Sequence, residues 1–434
     1  MSSPNNLIIN KSKPLIGNLK IPGDKSISHR SIILGAISNG ELTISNFLTS
    51  DDCNATVNAM RELGADISIS DNHVHIKGKG LFSLKKPKQM IDAGNSGTLL
   101  RLLTGVLAVQ DFDSMITGDD SLKKRPMGRI IKPLTLCGAK IEANEYKAPL
   151  SIHGTSSLNP IEYDQDVASA QVKSCLILSA LHISGQSKFY EEIQTRDHTE
   201  NLLEHFSYEI NRDSNSFSLK GRQKLIAKDI LIGSDISSAA FFIVASLIVD
   251  GSCIEMRSVN VNKFRTGLIT VLKKMGADIE ITNIKEVSNE PIGNIKVRHS
   301  KLKCIKIKGE VIPSLIDELP ILFIACAAAS GTSKISGIEE LRYKESDRIM
   351  AMENGLRAIG IDVRSSKDSI EITGGKIVGG KISSYDDHRI AMSFAIAGLI
   401  SQHSLTIMNT QNISTSFPTF VTILRELGVE VFEV

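Results

Sequence analysis

The chain has 434 residues, 41% apolar and 23% charged, ordinary usage that excludes disordered and fibrous classes. At about 100–200 residues per domain it has room for two or three domains. Its 50 basic residues against 48 acidic ones leave a formal charge of +2, which gives no electrostatic case for a nucleic-acid-binding or membrane-surface protein.

In chain order, the opening Met-Ser-Ser-Pro-Asn-Asn lacks the basic and apolar stretches of a signal peptide, and a cytoplasmic location is expected. A strand is predicted over about Leu7–Lys20. A polar helix entry, Asp24-Lys25-Ser26, then leads into an apolar helical core at Ile32–Ile37. Met60–Ile67 (MRELGADI) reads as the last turn of an amphipathic helix, a Gly just past its end, and a strand with alternating apolar residues. These two signals recur. Entries at Asn95-Ser96-Gly97-Thr98, Ser169-Ala170-Gln171, Asp235-Ile236-Ser237-Ser238, Asp317-Glu318 and Asp387-His388-Arg389 each precede an octet by about forty residues. The octets are Leu134–Ile141, Leu203–Ile210, Leu272–Ile279, Leu356–Val363 and Leu424–Val431, and Leu203–Ile210 departs by having Ser207 in place of Gly. The unit is helix, strand or hairpin, helix, strand, repeated six times at roughly 70–85 residues, longer than a solenoid repeat.

Six units make two sets of three, dividing near Leu231–Ser234. The N-terminal strand precedes the first polar entry and is expected to complete the second set. Two α/β domains are predicted, 21–232 and 1–20 plus 233–434, joined by a double crossing near Lys20 and Gly233 as in a hinge. The longest apolar runs, Ala239–Val249 and Ile321–Ala329, are too short to span a bilayer. Six cysteines without a C-x-x-C pair, and no metal-ligand spacing of Cys and His, predict reduced thiols and no metal.

Ser, Asp and Asn at a helix start are ordinarily N-caps worth about 1 kcal/mol. These entries also carry groups that capping does not need: Lys25, Ser26 and Arg30, then Arg101, then Gln171 and Lys173, and finally Arg389. If the units stack in register, their helix N-termini converge, and free N–H groups at positive dipole ends make an anion site. Leu122–Arg129 (LKKRPMGR) adds Arg125, held extended by Pro126, and Glu191–Glu200 (EEIQTRDHTE) adds Arg196. Leu341–Arg348 (LRYKESDR) sets Glu345 within a turn of Lys344 and Arg348, which suits acid/base work beside an anion. The pattern points to small molecules bearing several negative charges.

Eight segments carry a resemblance. Pro22–Arg30 (PGDKSISHR), Asn95–Arg101 (NSGTLLR), Arg125–Arg129 (RPMGR), Ala168–Ser174 (ASAQVKS), Arg196–Thr199 (RDHT), Asp317–Pro320 (DELP), Leu341–Arg348 and Asp387–Met392 (DHRIAM) resemble, in order and over essentially the whole chain, the 5-enolpyruvylshikimate-3-phosphate (EPSP) synthase family. The ASAQVKS and LRYKESDR forms look like its class II branch. The resemblance implies a two-domain inside-out α/β barrel, three βαβαββ copies per domain, open when free and closing around its ligands. It implies transfer of the enolpyruvyl group of phosphoenolpyruvate to the 5-hydroxyl of shikimate 3-phosphate through a tetrahedral intermediate, by a monomer without cofactor, metal, nucleic-acid or membrane partner.

By position, the resemblance gives shikimate 3-phosphate to Lys25, Ser26, Arg30, Ser169, Gln171, Arg196, Asp317 and Lys344. It gives phosphoenolpyruvate to Lys25, Gly97, Arg125, Gln171, Arg348 and Arg389. Asp317 is then the base for the hydroxyl, Glu345 the proton donor to the methylene carbon, and Lys25 steadies charge between the ligands. Gly97 leaves room that implies inhibition by glyphosate. Three positions depart from the pattern: Ala170 stands in place of a second Ser, Thr415 in place of a Lys, and Glu340 in place of an Asn. The rival reading is the enolpyruvyl transferase that acts on UDP-N-acetylglucosamine, which typically carries a reactive Cys on the loop before its Arg-Pro. Asp111–Arg125 contains no Cys.

Overall fold

The structure is a computed structural model that describes residues 6–165 and 168–434, so most of the opening read for a signal peptide lies outside the described residues. The described residues form helices α1 (Lys25–Ala36), α2 (Asp51–Glu62), α3 (Gly97–Leu107), α4 (Gly128–Leu136), α5 (Ala170–Ala180), α6 (His198–His205), α7 (Ile236–Ile248), α8 (Gly267–Lys274), α9 (Leu319–Ala328), α10 (Arg348–Ala358), α11 (His388–Gly398) and α12 (Phe420–Glu426). Odd-numbered helices start at the polar entries and even-numbered ones end at the octets. The two kinds differ in what they bury. α7 buries every residue from Ile236 to Leu247 and is apolar on all sides, as a central helix must be. α2 buries Cys53, Val57, Ala59 and Met60 but exposes Asn58, Arg61 and Glu62. Past the end of α2, Gly64 takes φ +85°, and in the degenerate copy Ser207 adopts φ +60° in its place.

Two units share the chain. The first is Gly23–Ile232 with Glu286–Glu290; the second is the chain up to Pro22, Gly233–Lys285 and Pro291–Val434. Each has its own apolar core. In the first, α3 packs along α5 and touches α1; in the second, α7, α9 and α11 pack pairwise. Among the described residues the strands form six four-stranded sheets. Strand residues alternate between buried and exposed, as in His73–Lys79, so one sheet face covers helices and the other meets water. Helices inside and sheets outside give each unit the inside-out α/β arrangement.

The stretch predicted as one N-terminal strand is two. Asn6–Ile9 lies between Leu405–Met408 and Val431–Glu433, whereas Ile16–Leu19 pairs in parallel with Cys253–Asn260. The polar run Asn10-Lys11-Ser12-Lys13-Pro14 between them cannot continue a half-buried strand, and its Pro lacks a ladder donor. At the end of the first unit, Ile230–Leu231 returns in parallel to Asn39–Ser45. The hairpin tip Glu286–Glu290 is an excursion that the sequence did not announce. There Glu290 Oε1 accepts from His198 Nδ1 at 2.7 Å and Asn201 Nδ2 at 3.0 Å. None of the described helices is long and apolar enough to cross a membrane.

Candidate active site

In the first unit the chemistry gathers at helix starts. Asp24 caps α1 by accepting from Ile27 N at 2.9 Å, which leaves the side chains of Lys25 and Ser26 for other work. Lys25 Nζ lies 2.5 Å from Asp52 Oδ2, in the first turn of α2. Arg30 is buried and ties three helices together. Its Nε donates to Thr199 Oγ1 at 2.8 Å, Nη2 to Ser174 Oγ at 2.7 Å, and Nη1 to Ser26 O at 2.9 Å.

At α3, Ser96 is the cap and Gly97 the first helical residue. A Cβ on Gly97 would stand 2.7 Å from Arg101 Nη1 and 3.1 Å from Arg125 Nη1, so two guanidiniums converge on this bare backbone. Arg125 has φ −75° and ψ 140°, the extended form that Pro126 demands, and its Nη2 donates to Asn95 Oδ1 at 2.9 Å. Ser169 caps α5. Gln171 spans to α3, accepting from Arg101 Nη1 at 2.8 Å and donating to Thr98 Oγ1 at 3.0 Å. Lys25, Arg30, Gly97, Arg125 and Gln171 are thus joined by these contacts to the starts of α1, α3 and α5. Arg196 lies just before α6 and is half-buried. Lys173 differs. It is buried between Glu191 and Glu200, at 2.9 and 2.7 Å, and does not join the anion-facing cations that the sequence suggested. Burial pulls its ammonium down, but the charges of Glu200 and Glu191 overcome this and hold it above its ordinary value.

In the second unit a set of carboxylates surrounds three cations. Asp317 and Glu318 do not cap α9; they sit in a tight turn, Ile316–Glu318, with no side-chain capping bond. Lys344 Nζ is 3.5 Å and Arg348 Nη1 3.8 Å from Asp317 Oδ1. Arg348 is buried, with Nη2 2.5 Å from Glu345 Oε2 and Nε 2.8 Å from Asp387 Oδ2. Burial works against the charge of Arg348, but Asp387, Glu345 and Asp317 outweigh it and hold the guanidinium firmly protonated. Asp387 answers in kind: burial raises its carboxyl, and Arg348 more than reverses this, leaving it below the usual carboxylate range. Asp387 also caps α11 by accepting from Arg389 N at 2.9 Å. Arg389 Nη1 donates to Asp317 O at 2.8 Å and lies 3.6 Å from Glu318 Oε1, which in turn accepts from Ser237 Oγ.

Asp317, Lys344, Glu345, Arg348 and Arg389 therefore share one constellation. Arg348 Nη1 is buried and makes no hydrogen bond, a donor suited to an incoming anion. The sequence reading missed Asp52, Glu318 and the pairing role of Asp387, because an acidic residue at a helix start looks like a cap until its partner is known. Thr415 is buried and donates to Asn412 O at 2.7 Å, so it offers no charge in place of the missing Lys.

The sequence model of the family described as EPSP synthase (3-phosphoshikimate 1-carboxyvinyltransferase) matches residues 9–424. The chain is 47% identical over 422 residues to the 3-phosphoshikimate 1-carboxyvinyltransferase of Coxiella burnetii (strain CbuK_Q154), covering 97% of this chain and 96% of that one. It is 47% identical over 426 residues to the enzyme of the same name from Legionella pneumophila, covering 97% and 98%. A solved structure of EPSP synthase from Acinetobacter baumannii matches with a TM-score of 0.87 at 43% identity, covering 99% of this chain and 100% of that one.

Proposed function

The chain belongs to the EPSP synthase family, and from that premise we propose how its residues divide the work. The reaction moves the enolpyruvyl group of phosphoenolpyruvate onto shikimate 3-phosphate and releases phosphate, a step toward the aromatic amino acids. In this reading shikimate 3-phosphate takes Lys25, Ser26, Arg30, Ser169, Gln171 and Arg196 of the first unit and Asp317 and Lys344 of the second. Phosphoenolpyruvate takes Lys25, Gly97, Arg125 and Gln171 of the first and Arg348 and Arg389 of the second. Forked guanidinium donors suit its carboxylate and its phosphate. The working species proposed is a cytoplasmic monomer acting without cofactor.

The chemistry is a proton-coupled addition and elimination. The 5-hydroxyl oxygen bonds to C2 of phosphoenolpyruvate, its proton passes to Asp317, and Glu345 gives a proton to the methylene carbon C3. The tetrahedral adduct then loses a proton from C3, which Glu345 takes back, and phosphate from C2, which carries off the proton that Asp317 had accepted, restoring the double bond and both carboxylates. Lys25 offsets negative charge between the ligands. One observation supports this division above the others: Asp317 and Glu345 flank the same guanidinium, whose Nη1 is without a hydrogen bond. A ligand carboxylate on Nη1 would share that charge with Glu345, which frees Glu345 to carry the proton it hands over.

Glu345→Ala tests the assignment. It is expected to bind both substrates within about threefold of the parent while kcat falls by about 10²–10⁴. Asp317→Ala should lose turnover as well, with weaker shikimate 3-phosphate binding because Asp317 also holds that ligand. Undiminished turnover in either variant would overturn these roles.

A further inference from the structure

Lys173 stands inside the ASAQVKS motif, yet its ammonium is buried among acids of the following segment. Its side chain is 1% exposed, and three groups meet its ammonium: Glu191 Oε2 at 2.9 Å, Glu200 Oε1 at 2.7 Å and Thr195 O at 3.5 Å. Glu191 Oε1 meanwhile accepts from Thr195 N at 3.2 Å and Thr195 Oγ1 at 2.7 Å. Both ends of Glu191–Glu200, and the residue immediately before Arg196, are therefore gathered at one buried cation. Between the strand Gln186–Tyr190 and α6 this segment has no regular secondary structure to hold its shape. Backbone ladders do not fix Arg196. The ion triad is the buried contact that draws the two ends of the loop carrying it together.

We propose that Lys173 is a positioning residue for shikimate 3-phosphate: it is the post around which Glu191–Glu200 folds, and it sets where Arg196 presents its guanidinium. The inference rests on the reading that Arg196 holds that substrate. Lys173 itself touches no reacting atom. Removing the ammonium alone would leave two buried carboxylates to repel each other and force the loop open.

A clean test removes all three charges together, because replacing a buried ion triad by neutral groups of similar size is often neutral for stability, whereas breaking it is not. Lys173→Met/Glu191→Gln/Glu200→Gln keeps an amide oxygen for Thr195 but loses the charged post. It is expected to melt near the parent temperature and to raise KM for shikimate 3-phosphate about tenfold, the size of one lost charge-assisted hydrogen bond. KM for phosphoenolpyruvate should stay within about twofold. Arg196→Ala, expected to raise the shikimate 3-phosphate KM in the parent, should add less than about threefold in the triple variant, since sites acting through one another are not additive. A merely structural triad predicts the opposite: full multiplication of the two effects, or an unchanged shikimate 3-phosphate KM in the triple variant. Either result overturns the proposal. Should the triple variant not fold, Glu191→Gln alone carries the same coupling test. If Arg196→Ala by itself leaves that KM unmoved, the substrate reading of Arg196 is what fails.

Discussion

A methyl group on Gly97 would crowd the guanidinium ends of Arg101 and Arg125, at 2.7 and 3.1 Å, with no backbone atom among its nearest contacts. Flexible side-chain ends can give way, so the fold should tolerate the change, but both guanidiniums must shift beside the place proposed for phosphoenolpyruvate. Gly97→Ala is expected to raise KM for phosphoenolpyruvate about tenfold, or about 1.4 kcal/mol, with melting unchanged within about 2 °C. Steady-state kinetics with phosphoenolpyruvate varied checks this, and an unmoved KM contradicts it. The same room underlies the expected inhibition by glyphosate, which uninhibited turnover at an excess of glyphosate over phosphoenolpyruvate would refute. Ser207 presents the inverse case, a side chain where the other octets have Gly, at φ +60°. Ser207→Gly should stabilise the protein by about 0.5–1 kcal/mol, because the left-handed strain removed exceeds the extra freedom gained by the unfolded chain. Urea denaturation reads the difference, and a loss of stability would count against the octet account. Caps such as Asp24, Ser96 and Ser169 were legible in the sequence because their hydrogen bonds are local. The partners of Asp317 and Glu318 were not, since Arg389 and Ser237 lie 72 and 81 residues away.

Among elements, the joint between α10 and α11 depends on one carboxylate. Asp387 caps α11 and neutralises Arg348, the first residue of α10. Asp387→Ala would lose the cap and leave a buried guanidinium short of a partner, for an expected cost of about 3–5 kcal/mol. Asp387→Asn keeps an oxygen for the Arg389 N–H and should cost less than Ala. Equal losses in urea denaturation would show that charge balance, and not capping, is what matters there. The starts of the odd-numbered helices and the ends of the even-numbered ones were legible because polar entry, apolar core and terminal Gly are periodic signals. Strand membership was not. Asn6–Ile9 and Ile16–Leu19 read as one run, and only long-range pairing assigns them to different sheets. The excursion of Glu286–Glu290 is a tertiary event without a local mark, and so is the burial of Lys173 by acids 18 and 27 residues away in sequence.

Across the molecule, acid sensitivity should reside in the first unit. His29 and His182 are fully buried there; burial, then the charges of Lys25 and Arg30, press His29 well below 6.5, and burial brings His182 down to about 4. Below pH 6.5 the unfolded chain takes up protons that these folded histidines refuse. Stability therefore falls with pH, by about 1.4 kcal/mol per unit for each group. Glu200 works in the other direction: burial raises its carboxyl above 4.5, giving stability that is lost as pH rises through the raised value. With two groups against one, unfolding free energy should drop by about 1–3 kcal/mol between pH 7 and 5.5. Equal values by urea titration at the two pH values would contradict this.

The central claim is that starts of helices in repeated units gather cations for two anionic metabolites, and that the acceptor among them is a compact sugar-like phosphate. Phosphate release from phosphoenolpyruvate, followed by a coupled assay, tests it with shikimate 3-phosphate or UDP-N-acetylglucosamine as the second substrate. Sustained release is predicted with shikimate 3-phosphate and none above background with the UDP-sugar. Release with the UDP-sugar alone, or with neither, would contradict it.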